Sequence, residues 1–172
     1  MRLATTLAGL AFGLALTSAR ADITVGVTLA ATGPAASLGI PEKNTIALMP
    51  ATLAGEKVRY VVLDDGSDPS TAVKNARKLA AEEKADVIIG SSTVPTSLAV
   101  VEVANESKTP QLALAPLALP AEKRVWAFAP PQTNVLMASA VIEHMAAGGI
   151  KTLGFIGYND AFGEGWWREV EP

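Results

Sequence analysis

The chain predicts an α/β fold with a doubly wound parallel sheet, and three observations carry that expectation. Short β-branched runs recur along it, stripes of apolar residues at helical spacing lie between them, and brief Gly/Pro/Asp loops separate the two. Ile23 to Leu29 alternates β-branched and small residues and is followed by Ala31-Thr32-Gly33-Pro34, a strand and its turn. Gly39 to Met49, closed by Pro50, reads as a short helix, and Lys57 to Leu63 as a strand that stops at Asp64-Asp65-Gly66. Asp68-Pro69 then supplies an N-cap and first helical residue. The helix it opens runs to about Lys84, with Ala72, Val73, Ala76, Leu79 and Ala80 on one stripe.

Asp86 to Ile89 is a continuous apolar strand. Gly90-Ser91-Ser92-Thr93-Val94-Pro95 leads from it into a helix with Leu98, Val101 and Ala104 on its apolar face. Gln111 to Ala115 and Val125 to Ala129 read as strands around an Ala/Leu/Pro loop at Pro116 to Pro120. Trp126 and Phe128 alternate along one face of the second and are expected in the core. Thr133 to Ala147 reads as a helix ended by Gly148-Gly149, Thr152 to Gly157 as another strand, and Phe162-Gly163-Glu164-Gly165 as the start of a last helix.

Composition narrows the chemistry. The 172 residues are 49% hydrophobic, 18% charged and 5% aromatic, a soluble globular profile. A net charge of −3 offers no footprint for a phosphate backbone, so nucleic acid is not an expected partner. With no cysteine and one histidine, thiolate metal sites, disulfides and cysteine nucleophiles are excluded, and no metal or other cofactor is implied. Residues 1 to 21 form a separate unit: Arg2 as a positive start, an apolar run from Leu3 to Leu16, and the A-x-A site Ala19-Arg20-Ala21. This is the pattern of a cleaved secretory signal, and the apolar run falls short of the ≈ 20 residues a bilayer span needs. Removing it leaves 151 residues with 12 basic against 17 acidic side chains, bound for a bacterial-type periplasm or the cell exterior.

Ligands of open α/β sheets bind at the carboxyl ends of the strands. Ser91, Ser92 and Thr93 lie between a buried strand and a helix N-terminus, where backbone N–H groups, the helix dipole and three hydroxyls would suit a small carboxylate. An equal reading is that one hydroxyl caps the helix while the others are solvated. Asp64-Asp65 reads as a strand-end turn with solvated charges, since adjacent carboxylates point to opposite faces. His144 has no Ser, Cys or second His nearby in sequence, and its default is a packed or surface imidazole. Gly163-x-Gly165 lacks the third glycine of a dinucleotide fingerprint, and neither a P-loop nor G-x-S-x-G occurs. Phe162, Trp166 and Trp167 either wall a pocket or form the buried face of the last helix.

Several features together resemble the periplasmic solute-binding proteins of branched-chain amino acid ABC transporters. They are Ile-Thr-Val-Gly-Val with Thr32-Gly33-Pro34 and Leu38-Gly39, Leu63-Asp64-Asp65 with Asp68-Pro69, Val87 to Thr93, Lys108-Thr109-Pro110, and Phe162-Gly163-Glu164-Gly165. The resemblance implies a type I bilobed fold, with residues 22–118 as the first lobe and 119–172 as a crossover and the beginning of a second. It therefore implies a shortened chain, weakly stable and weakly binding by itself, with Trp166 and Trp167 exposed. It further implies that the loop after Gly90 and the loop containing Leu117 and Leu119 grip a carboxylate and its polar neighbour, while Leu38 and Phe162 line the pocket. Leu38 and Phe162 stand where the family usually has tyrosine, and Leu117 to Leu119 is apolar where a hydroxyl often helps hold an ammonium. Burying an unpartnered ammonium costs several kcal/mol, so an apolar or aromatic carboxylic acid competes with a branched-chain amino acid as ligand.

The implied role is ligand capture for an inner-membrane permease, with no catalysis and a monomeric full-length form. A sensor lobe feeding a signalling partner shares the fold and stays open. A serine hydrolase using Ser91 or Ser92 weighs least, because the lone histidine lies on another helix. If the leader is read correctly, N-terminal sequencing of exported protein should return Asp22 as the first residue. Retention of residues 1–21 would refute it.

Overall fold

A computed structural model describes residues 22–171. The proposed leader and its cleavage site lie outside the described residues. In chain order the elements are β1 (Ile23–Leu29), α1 (Ala36–Ala47), β2 (Thr52–Leu53), β3 (Glu56–Asp64), α2 (Pro69–Ala81), β4 (Val87–Ile89) and α3 (Val94–Ser107). There follow β5 (Gln111–Leu112), a 3-10 turn at Ala121–Lys123, β6 (Ala127–Phe128), α4 (Asn134–Ala147) and α5 (Ala161–Val170). One six-stranded sheet runs β2-β3-β1-β4-β5-β6, and every pairing is parallel except β2 with β3. The α/β class and its parallel sheet are as the sequence predicts.

Alternation along β1 builds two cores. Val25, Val27 and Leu29 face α1 and pack with Ile46, with Tyr60 and Val62 of β3 and Ile89 of β4 against them. On the other face, Ile88 meets α2 and α3 in a cluster with Ala72, Ala76, Leu79, Val100 and Val103. Gly26 belongs to that second face because α2 lies so close: a Cβ there would come within 3.0 Å of Leu79 Cβ. The caps fix where the helices start. Asp68 accepts from Thr71 N at 2.7 Å with Pro69 following it, Thr133 caps α4, and Asp160 Oδ1 accepts from the backbone of Phe162 and Gly163 to open α5.

Several expectations are corrected. The first helix begins at Ala36, three residues early, ends at Ala47 and carries Pro41 inside it. A β2 strand precedes β3, joined to it through Ala54 and Gly55, which both adopt positive φ; an Ala-Gly pair is a weak hairpin signal. The strands expected at Gln111–Ala115 and Val125–Ala129 shrink to two residues each. Ala127, not Phe128, enters the core, and Phe128 is 49% exposed beside Leu112, because α3 covers only one face of β5 and β6. No strand forms at Thr152–Gly157: the segment is exposed and finds no ladder partner among the described residues, without which apolar β-formers do not make a strand. Asp65 is buried, not solvated.

Trp167 is partly exposed and tilts against Phe155, ring centroids 5.4 Å apart, while Trp166 is half-buried. Among the described residues no helix is long and apolar enough to cross a membrane. Leu79 joins α2 to the sheet with no exposed surface, so Leu79→Ala should lower unfolding free energy by about 2–5 kcal/mol. Urea denaturation followed by circular dichroism would measure it, and a loss under about 1 kcal/mol would contradict this packing.

Candidate functional site

The sheet reverses its winding between β1 and β4, for β3 lies to one side of β1 and β4, β5 and β6 follow on the other. Crevices outside the carboxyl ends of strands at such a switch point are where open α/β sheets take ligands. Here the carboxyl ends are Leu29 and Ile89, and the chain leaves β4 through Gly90, Ser91, Ser92 and Thr93. Gly90 has φ of +127°, and a Cβ on it would fall 1.9 Å from Thr28 O, so only glycine lets this turn lie against β1. Gln111 Nε2 donates to Gly90 O at 2.8 Å, and Ser97 Oγ donates to Ser91 O at 2.7 Å.

Asp65, 1% exposed at the end of β3, organises the corner. Its Oδ2 accepts from Ser91 Oγ at 2.6 Å and Thr28 Oγ1 at 3.1 Å, and its Oδ1 accepts from Ser67 N at 3.0 Å. Ser91 Oγ in turn accepts from Ser92 N at 2.6 Å. Ser92 Oγ accepts from Ala30 N at 3.0 Å and donates to Glu42 Oε2 on α1. Thr93 caps α3 reciprocally with Thr96. The neighbouring Asp64 points the other way. Partial desolvation pushes its carboxyl up, but donors from Thr32 Oγ1 and the backbone of Gly66 and Thr32 outweigh that and hold it below the usual carboxylate range.

The predicted site residues therefore fall into groups. Ser91 and Ser92 are buried with their hydroxyls bonded inside the corner, and Thr93 borders it as the α3 cap. Leu117 and Leu119 are buried in one cluster with Val94, Val101 and Ala127, and Phe162 packs against it. Thr93 and Val94 are consecutive, so α3 begins where the polar corner meets this apolar wall. Leu38 is half exposed on α1; its neighbour Gly39 lies so near β1 that a Cβ would fall 2.1 Å from Ala30 O. Glu42 and Asp65 were not in the predicted set. The strand-end position of the Asp64-Asp65 pair marks it as a place to look but does not say which carboxylate faces inward, and Glu42, one acid on a weakly amphipathic helix, carries no sequence signal.

A separate cavity of about 520 Å³ is lined by Phe155, Ile156, Tyr158, Phe162 and Trp166. It opens where the 155–158 segment passes α5 and shares only Phe162 with the wall. We place the candidate site at the switch point, where the polar groups converge. Hydrolase chemistry has no geometry here: both serine protons go to carboxylates, and His144 is exposed in the last turn of α4. Among the described residues no group of three His, Asp or Glu side chains is placed to hold a metal ion.

A family profile described as periplasmic binding protein matches residues 22–171. No curated protein matches the chain. An extracellular ligand-binding receptor from Rhodopseudomonas palustris HaA2 is 45% identical with a TM-score of 0.85, covering 88% of this chain and 42% of the receptor. A solute-binding protein of an ABC transporter from R. palustris BisB5, in complex with 3,4-dihydroxybenzoic acid, is 25% identical with a TM-score of 0.80, covering 86% of this chain and 42% of that one. A leucine-binding protein from Thermotoga maritima MSB8 is 25% identical with a TM-score of 0.66, over 73% of this chain and 37% of that one. The chain thus spans less than half the length of these neighbours. The matched family and these neighbours are non-enzymatic binding proteins with the type I periplasmic fold.

Burial pushes the Glu42 carboxyl above its ordinary range, against the hydrogen bond from Ser92, and the Asp65 charge adds to the rise. A raised folded-state value means this group stabilises fully below its unfolded value of about 4.3 and loses that contribution as pH climbs through the folded value. Glu42→Gln should remove that loss, so the variant's Tm relative to the parent should rise between about pH 4 and pH 7. A constant difference across thermal melts in this range would show that the Glu42 charge is not strained in the fold.

Proposed function

The chain belongs to the periplasmic binding protein family, and from that premise we propose that it is the extracytoplasmic receptor of an ABC importer. It captures a small carboxylate-bearing ligand between two lobes and hands it to an inner-membrane permease. Residues 22–118 form the first lobe, and 119–172 the crossover and beginning of the second. The leader at residues 1–21 directs the protein to the periplasm, where it works as a monomer in its full-length form.

One observation carries this reading: at the switch point, α3 starts between a hydroxyl-rich corner and an apolar wall. The α3 N-terminus and Thr93 receive the ligand carboxylate through the helix dipole and a charge-assisted hydrogen bond. Leu117, Leu119 and Phe162 take its apolar body, with Leu38 at the mouth, and Ser91 and Ser92 hold the turn in shape. An apolar or aromatic carboxylic acid and a branched-chain amino acid both fit this division. The 3,4-dihydroxybenzoate-bound neighbour supports the first and the leucine-binding one the second.

Calorimetry on the protein as the cell exports it, with leucine and 3,4-dihydroxybenzoate as probes, tests the assignment. Thr93→Ala should weaken the bound probe roughly ten- to a hundredfold, since a hydrogen bond to a charged group is worth about 1.5–3 kcal/mol. Leu119→Thr should shift preference toward leucine by giving an ammonium a partner. Unchanged affinity in a folded Thr93→Ala protein would reduce Thr93 to a helix cap and remove the anion site from this corner.

A further inference from the structure

We infer that Glu42 is a specificity-determining residue: an oriented acceptor that takes a hydrogen-bond donor of the ligand, an ammonium or a hydroxyl, beside the start of α3. The inference rests on the proposed capture site and adds to it the chemistry of the ligand's second polar group.

Proton accounting comes first. A serine hydroxyl has one proton to give. Ser91 gives its proton to Asp65 Oδ2 and Ser92 gives its own to Glu42 Oε2, so neither hydroxyl has a donor left for an incoming anion. Ser92 Oγ is also engaged as an acceptor, by Ala30 N. The inner corner, from Asp65 to Glu42, is therefore an acceptor surface, and an anion can be met only one residue further on, where Thr93 and Thr96 share a hydroxyl contact of 2.7 Å: with Thr96 as its donor, the Thr93 proton is free to point at the ligand.

Glu42 is the part of that surface a ligand can use. Asp65 is sealed at 1% exposure with both oxygens bonded. Glu42 is half-buried, and Ser92 fixes one carboxylate oxygen while Oε1 takes no hydrogen bond from any described residue. No Lys or Arg among the described residues pairs with it. A partly desolvated carboxylate without a cation is an unfinished arrangement, because burial costs it hydration that one hydroxyl does not replace. A ligand ammonium or hydroxyl on Oε1 completes it. Position is set by backbone: Gly39 holds α1 against Ala30 at the end of β1, and Glu42 follows one turn later, over the β1 and β4 carboxyl ends. The apolar loop at Leu117–Leu119 removes one expected partner for an ammonium, and Glu42 offers a charged acceptor in its stead.

Two matched pairs of probes separate this role from general effects: leucine against 4-methylpentanoate, which lacks the ammonium, and 3,4-dihydroxybenzoate against benzoate, which lacks the hydroxyls. Calorimetric affinities would be measured for the exported protein, Glu42→Ala and Glu42→Gln. In the parent, the donor-bearing member of at least one pair should bind more tightly. In Glu42→Ala that preference should fall tenfold or more, while affinity for the bare acid stays within about twofold. Alanine favours helix, so α1 should persist, and circular dichroism checks it. Glu42→Gln separates the sources, since an ammonium preference is lost with the charge whereas a hydroxyl preference survives on the amide oxygen. A parent without preference, a preference unchanged in Glu42→Ala, or equal losses for both members of a pair would overturn the inference. Absence of binding by any of the four probes would instead overturn the carboxylate-receptor reading, and this inference with it.

Discussion

A carboxylate that is 1% exposed must be supplied with donors, and the way Asp65 is supplied shapes the whole carboxyl edge of the sheet. Its partners come from three directions: Thr28 from β1, Ser91 from the turn after β4, and the backbone of Ser67 from its own loop. The bonds tie β3 to β4 across the strand between them, at the point where the winding reverses. Thr28 is held in turn by Asn75 of α2 at 3.2 Å, so the network extends to the helix layer. Removing Asp65 would leave two buried hydroxyls seeking acceptors, and removing Ser91 would leave a buried carboxylate short of a donor. The costs of these losses are asymmetric, with the unsatisfied charge the more expensive. The hydroxyl-rich loop is thus firstly a solution to a burial problem, and its remaining capacity for ligand is what that solution leaves over.

What the sequence disclosed follows from which forces act locally. The α/β order, the caps at Asp68 and Thr133 and the stripe of Ala72, Ala76 and Leu79 were legible, because propensity, capping and periodicity are properties of short windows. Sheet partnership is not local. Thr152–Gly157 has a strand's residues and no neighbour to pair with, while Thr52–Leu53 has a poor turn signal and a neighbour close at hand. Phe128 and Ala127 show the same limit on a smaller scale. Alternation says that one of them faces in, but the choice was made by α3, which covers the face carrying Ala127.

The candidate site was legible as a location more than as a set of bonds. Ser91, Ser92 and Thr93 announce themselves as hydroxyls between a buried strand and a helix start, and Leu117, Leu119 and Phe162 meet in one apolar cluster. The partners of the serines were hidden because they arrive from residues 26 and 50 positions away along the chain. Asp64 and Asp65 illustrate why adjacent identical residues needed the fold to be told apart. One faces solvent and binds the loop at Thr32, and the other faces inward and binds Ser91.

The helices bounding the site differ in how firmly they are held, and this sets which part of it can adapt. α3 contributes seven buried residues, among them Val100 and Val103 in the core shared with α2, Val94 and Val101 in the apolar wall with Leu117 and Leu119, and Ser97, which grips the turn it follows. Burial on several sides explains why its sequence shows so little amphipathic contrast, and it fixes the α3 N-terminus, the proposed point of attachment, in place. α1 buries only Gly39 and Ile46, and its first turn has no side-chain cap. Glu42 thus rides on the loosely packed wall of a corner whose opposite wall is fixed. Its hydrogen bond to Ser92 joins the two, and a ligand group that engages Glu42 would act on the more weakly packed of these two helices. In the capture site proposed above, the anion would meet a rigid surface and the ligand's donor an adjustable one, so variation in ligand length would fall on α1 before it falls on the sheet.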